Sequence, residues 1–168
     1  MEMREVFLRN GAPTGRIVEK HAQGQSGEYF RHAIVIMRVP DGRYVLQQRS
    51  LKARWYPGKW DVTGGGVAAG ETPAQAAMRE AYEELGVRID PEGMRHVFSY
   101  ITDWEDGSGG LLVDMFFAQV NIPAEGFDVD RYEVNDVRLA SYEDFAAAIR
   151  FNKTDEFMEA VAAIEKEM

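Results

Sequence analysis

The chain has 168 residues, 45% hydrophobic and 28% charged, enough for one ordinary globular domain with a sizeable core. Its 28 acidic and 19 basic residues give a formal net charge of −9, which argues against a general binder of nucleic acid or of anionic membranes, both of which attract positive charge. It has no cysteine, so disulfides, thiolate nucleophiles and cysteine metal sites are excluded, while a small anionic ligand held through a divalent cation is not.

No run of about 18 apolar residues occurs, and the first residues carry no apolar leader segment, so a cytoplasmic protein is the expectation. In chain order, Glu5–Arg9 reads as a short strand, with turn residues from Asn10-Gly11 to Gly15 and a second strand over Arg16–Glu19. Gln23–Glu28 is polar and glycine-rich and reads as a loop. Tyr29–Val39 and Tyr44–Arg49 form a hairpin about Pro40-Asp41-Gly42. Leu51–Trp60 is a basic, aromatic loop. Asp61–Val67 is a short strand interrupted by Gly64-Gly65-Gly66.

Thr72–Gly86 carries complete helix signals. Thr72 is the N-cap, Pro73 suits the first position, Gln75 completes a capping box, and Gly86 supplies the left-handed residue at the end. Met94–Trp104 and Leu111–Val120 read as strands, and Val134–Ala140 as another. Ser141 caps a helix to about Arg150, and Thr154 caps a last helix. This pattern predicts an α/β (α+β) fold: a mixed sheet with helices on both faces, in one domain over 1–168, with residues 1–28 as an N-terminal hairpin extension and 151–168 as a C-terminal helix.

On the Thr72 helix the sequence places Ala74, Ala77, Met78, Ala81, Tyr82 and Leu85 on one apolar stripe and Glu80, Glu83 and Glu84 together opposite it. Like charges at these spacings cost about 0.2–0.5 kcal/mol per pair. A Glu-rich face is ordinarily just solvated. Three carboxylates within one turn also suit a hard cation, which takes oxygen ligands, and the glycines just upstream offer a carbonyl for the same ion.

Gly65, Glu71, Arg79, Glu80, Ala81, Glu83, Glu84, Gly86 and Val87 resemble the Nudix box, G-x5-E-x7-R-E-U-x-E-E-x-G-U, without a gap. The seven fixed identities would arise by chance with a frequency on the order of 10⁻⁷. Ala81 departs from the bulky aliphatic residue usual at its position. The likeness extends over about Tyr29–Arg150, through Leu46–Arg49, Pro57-Gly58-Lys59-Trp60 and Glu133–Phe145. It implies a Nudix-like α/β/α sandwich and Mg²⁺-dependent (or Mn²⁺-dependent) hydrolysis of a nucleoside diphosphate linked to another moiety, or of a related small diphosphate.

Carried over position by position, the resemblance implies that Glu80, Glu83, Glu84 and the Gly64 carbonyl bind the metal. Arg79 orients carboxylates, and Gly65, Glu71 and Gly86 shape the box. The general base is either a box glutamate such as Glu83 or the later loop residue Glu133, favoured narrowly over Asp128, Asp130 and Asp136. Arg49, Lys59 and Trp55 offer positive charge and an aromatic face to the substrate, although Trp55 serves equally well to pack its loop, and Trp60 is better placed for packing. The branch that looks most similar contains isopentenyl-diphosphate isomerase, whose catalytic cysteine the chain lacks; His32 resembles one of its metal-binding histidines and reads here as a structural strand residue. The alternative is a non-catalytic Nudix-fold module that binds a nucleotide or a protein. A homodimer built by the N-terminal hairpin and the last helix is compatible with the sequence.

Overall fold

The protein is described from a computed structural model covering residues 1–22 and 24–168; Gln23, the first residue of the expected Gln23–Glu28 loop, lies outside the described residues. The chain runs β1 (Met3–Phe7), β2 (Pro13–Glu19), β3 (Glu28–Arg38), β4 (Tyr44–Arg49), β5 (Trp60–Asp61), β6 (Thr63–Gly66), α1 (Pro73–Leu85), β7 (Met94–Asp103), β8 (Gly109–Gln119), β9 (Val134–Ala140), α2 (Tyr142–Ile149) and α3 (Asp155–Lys166). The strands form one nine-stranded mixed sheet.

β3 organises that sheet. Along one side it pairs in succession with β1 at Tyr29, β6 at His32–Val35 and β4 at Arg38; along the other it lies parallel to β8 over its full length. Its period-two alternation divides the core. Ala33, Val35, Met37 and Val39 join the cluster under α1, and Ile34 and Ile36 join the one under α2 and α3. Helices thus cover both faces, as the sequence predicts.

Several boundaries differ from the sequence reading. β1 starts and ends two residues early, because Leu8 already closes the turn with Ala12 and Gly11. β2 starts at Pro13, where the Thr14 hydroxyl bonds the Val6 carbonyl at 2.8 Å. The expected Asp61–Val67 strand is two strands on different partners: β5 pairs with β4 and β6 with β3, the chain crossing over at Val62.

α1 begins and ends as its caps dictate. Thr72 Oγ1 accepts from Gln75 N at 3.1 Å, Gln75 Oε1 accepts from Thr72 N at 2.9 Å, and Gly86 adopts φ +71°. A Cβ at Gly86 would be strained there and would sit 2.9 Å from Asp128 Cβ. Gly86→Ala should therefore destabilise the protein by about 1–3 kcal/mol in a denaturant titration.

Its buried arc is not the predicted stripe. Tyr82 is exposed, Ala76 is buried, and Glu80 and Glu84 are buried with Ala77, Ala81 and Leu85. The reason lies in β6. Glu80 packs on Gly65, where a Cβ would fall 2.2 Å from Glu80 Oε1, so the bare glycine backbone leaves a carboxylate room where a side chain would have demanded an apolar neighbour.

Candidate active site

Glu80 and Glu84 are one turn apart on α1, 8% and 7% exposed. Arg79 fixes the first. Its guanidinium clasps Glu71 through Nε (2.8 Å) and Nη2 (3.0 Å), donates from Nη1 to Glu80 Oε1 (2.8 Å) and Glu83 Oε2 (3.2 Å), and from Nη2 to the Gly66 carbonyl (3.0 Å). One planar fork thereby ties the glycine strand, the loop before α1 and two box carboxylates together. Glu71 also accepts from Ala68 N at 3.0 Å, and its carboxyl lies below the usual range because Arg79 and that amide outweigh its burial.

Glu84 has no such partner: its Oε2 is buried and accepts no hydrogen bond among the described residues. Burial, and then the charges of Glu80 and Glu133, push its pKa well above that of an ordinary glutamate, with the Gln47 amide nearby offsetting only a part. Glu80 is raised as well, mainly by burial, with Arg79 pulling the other way. Two adjacent buried carboxylates, one orphaned, are expensive unless something cationic completes them.

The glycine strand contributes oxygens. Among the described residues β6 pairs with β3 alone, so its other edge has no strand partner there. Val67 N bonds Arg31 O, whereas the Gly66 carbonyl receives Arg79; alternate carbonyls, those of Gly66 and Gly64, accordingly face the unpaired edge. The donor set of Glu80, Glu84, Glu83 and the Gly64 carbonyl is all oxygen and net negative, which fits a hard divalent cation. Among the described residues no three carboxylates or imidazoles stand as a ready cage. Glu83 is exposed and Arg79 holds it.

Glu133 comes to the site by local backbone folding. Asp128 N and Asp130 N bond the carbonyls of Leu85 and Glu84 at the end of α1, Glu133 N bonds Asp130 O, and Ser50 N bonds Glu133 O. This wraps 128–133 across the α1 terminus and leaves the Glu133 side chain exposed, its charge acting on Glu84. The sequence reading missed Gln47, a buried amide on β4 that accepts from Thr63 Oγ1 at 3.0 Å. Its signal was a glutamine on the inward phase of a strand whose neighbours are apolar.

The expected substrate contacts lie at the end of β4 and on the loop that follows it. Arg49 Nε donates to Trp55 O at 2.7 Å and so shapes the loop. Trp55 is 63% exposed, with Arg54 over its ring at 5.2 Å, and does not pack on the core. Lys59 lies over Phe151 at 5.5 Å. Trp60 packs against the second core cluster under Arg138, as its sequence context suggests.

His32, on β3 opposite Gly66, is half-buried; desolvation first, and the charges of Arg4, Arg49, Lys153 and Lys20 next, bring its pKa from 6.5 to about 4. The unfolded chain takes up a proton over that interval before the folded one does, so stability present above about pH 6.5 is lost as pH falls toward 4. His32→Gln should flatten this acid-side decline in melts recorded between those pH values.

The NUDIX domain family matches residues 28–161. Nudix hydrolase 3 of Arabidopsis thaliana is 27% identical over 150 residues, which are 84% of this chain and only 19% of that protein; the chain thus spans about a fifth of that relative. An uncharacterised Nudix hydrolase of Listeria monocytogenes is 31% identical over 151 residues, 88% of this chain and 84% of that one. Isopentenyl-diphosphate isomerases are also among the relatives. The crystal structure of DR0079 from Deinococcus radiodurans superposes with a TM-score of 0.68 over 96% of this chain and 98% of that one, at 21% identity, and speaks for the fold alone. No helix among the described residues is long and apolar enough to cross a membrane.

Proposed function

Because the chain belongs to the Nudix family, we propose that it is a Mg²⁺- or Mn²⁺-dependent diphosphohydrolase acting on a nucleoside diphosphate linked to another moiety, or on a related small diphosphate. The observation that carries this reading is the buried Glu80–Glu84 pair with its orphaned oxygen, since a fold that had no use for a cation there would do better with apolar side chains. Glu80, Glu83, Glu84 and the Gly64 carbonyl would hold the ion. When bound, it neutralises charge on the diphosphate and makes a coordinated water more acidic.

The remaining roles belong to the chain's own groups. Arg79 keeps Glu80 in one orientation and anchors it to Glu71 and the glycine strand. Glu133, exposed and with its charge acting on Glu84, takes the proton of the attacking water; Glu83, exposed although Arg79 holds it, is the box carboxylate that would do so in its place. An oxygen–phosphorus bond forms as the bridging phosphorus–oxygen bond breaks, and the negative charge leaves with the departing phosphate. Arg49 and Lys59 meet the phosphates, and the open face of Trp55 receives an aromatic moiety.

The test is phosphate and nucleotide release with Mg²⁺ or Mn²⁺ across nucleoside di- and triphosphates, ADP-ribose, dinucleotides, nucleotide sugars and prenyl diphosphates. Metal-dependent release of any of these supports the reading. Binding of a nucleotide with no turnover on any of them would instead favour a non-catalytic module.

A further inference from the structure

We propose that Arg4, reaching from the N-terminal hairpin across Gly66, is a diphosphate-binding and specificity-determining residue of this site, so that a segment outside the matched domain completes the substrate cleft. The proposal rests on the hydrolase reading above.

The placement of Arg4 is unusual. Its guanidinium lies directly on Gly66: a Cβ there would fall 2.1 Å from Cζ and Nη2 and 2.5 Å from Nη1. The side chain is only 15% exposed, yet among the described residues its one hydrogen bond is a long one, Nε to Glu2 Oε1 at 3.4 Å. Both Nη groups therefore have donors to spare. The position is fixed from the backbone, because Met3 O accepts from Ala69 N at 2.8 Å, which ties β1 to the loop leading into α1.

Gly66 joins the two arginines. Its carbonyl receives Arg79, whose Nη1 holds Glu80, while Arg4 covers its Cα. Glu80 packs on Gly65 from the α1 face of β6, and Arg4 packs on the next residue from the other face. The unpaired edge of β6 lies between them. An anion at that edge would have the carboxylate side on one face of β6 and the Arg4 fork on the other.

Charge favours the same place. In a chain of net charge −9, Arg4, Arg49, Lys153 and Lys20 all act on His32 as positive charges. Lys153 is engaged by Asp61 at 2.8 Å, Lys20 by Glu2 at 3.4 Å, and Arg49 Nε by Trp55 O. Arg4 is 15% exposed and, like Arg49, bonds only through Nε, so its planar pair of Nη donors is left for an anion, the geometry that phosphate oxygens accept two at a time.

The test is calorimetric binding of imidodiphosphate, a hydrolysis-resistant diphosphate, in Mg²⁺ to the wild type, Arg4→Gln and Arg4→Lys, with thermal melts and with kcat and KM on whichever substrate the panel identifies. Arg4→Gln should weaken binding about 10-fold, the loss of a charge-assisted bond, and raise KM more than it lowers kcat at an unchanged Tm. Arg4→Lys should recover part of the affinity. Equal binding by wild type and Arg4→Gln overturns the proposal, as does a loss shared equally by both variants together with a fall in Tm, which would make Arg4 a packing strap. If Arg4→Gln does not fold, Arg4→Lys decides: a weakening of a few-fold supports the assignment, and unchanged affinity overturns it. A wild type that hydrolyses but does not bind imidodiphosphate removes the Arg4 assignment alone, whereas one that does neither removes the hydrolase reading with it.

Discussion

Glu84→Gln should lower kcat at least about 100-fold while leaving the protein as stable as the wild type or more so. The two halves of that result have one cause. Glu84 is buried, its Oε2 is unpartnered, and its neighbours Glu80 and Glu133 are both acidic. A neutral amide of the same shape removes the repulsion and donates hydrogen bonds, but it is a poor ligand for a hard cation. The pH dependence has a definite sign. A carboxyl whose folded pKa is raised contributes stability at low pH and loses it as pH climbs from the ordinary value of 4.5 toward the folded one. In EDTA the wild type should therefore melt lower relative to Glu84→Gln as pH rises, and Mg²⁺ should restore the wild type only. Thermal melts of both proteins with and without metal check this.

Arg79→Ala should destabilise the fold and abolish turnover together. It strands Glu71 and Glu80, both largely buried, and frees the Gly66 carbonyl. Removing one partner from a buried ionic network costs several kcal/mol; with a quarter of the Arg79 side chain exposed, about 2–4 kcal/mol is expected here. Arg79→Lys should not rescue activity, because a single ammonium cannot reach Glu71 by two bonds and still hold Glu80 and Gly66. Denaturant titration and phosphate release measure the two effects separately. A variant that kept its stability but lost activity would place Arg79 on the substrate rather than in the scaffold.

These outcomes turn on features of unequal legibility in the sequence. The ends of α1 were readable because capping is local: Thr72, Pro73, Gln75 and Gly86 each act within a few residues. The buried face of α1 was not, because it depends on what lies opposite. Hydropathy placed Tyr82 inside and Glu80 outside, whereas the bare backbone at Gly65 admits the carboxylate and leaves the tyrosine in solvent. The crossing at Val62 was hidden for a related reason, since Asp61–Val67 reads as one strand and only the competing partners β4 and β3 divide it. The box residues were legible as a pattern of spacing. Arg4, Gln47 and the 128–133 wrap were not, because they reach the site through contacts between segments remote in sequence.

The central claim is that the Glu80–Glu84 pair is a divalent cation site. It is tested most directly by calorimetric titration of Mn²⁺ into the metal-free wild type and into Glu84→Gln at neutral pH. The account predicts saturable binding to the wild type and a loss of at least about 10-fold in affinity in the variant. Equal binding by both proteins, or none by the wild type, would contradict it.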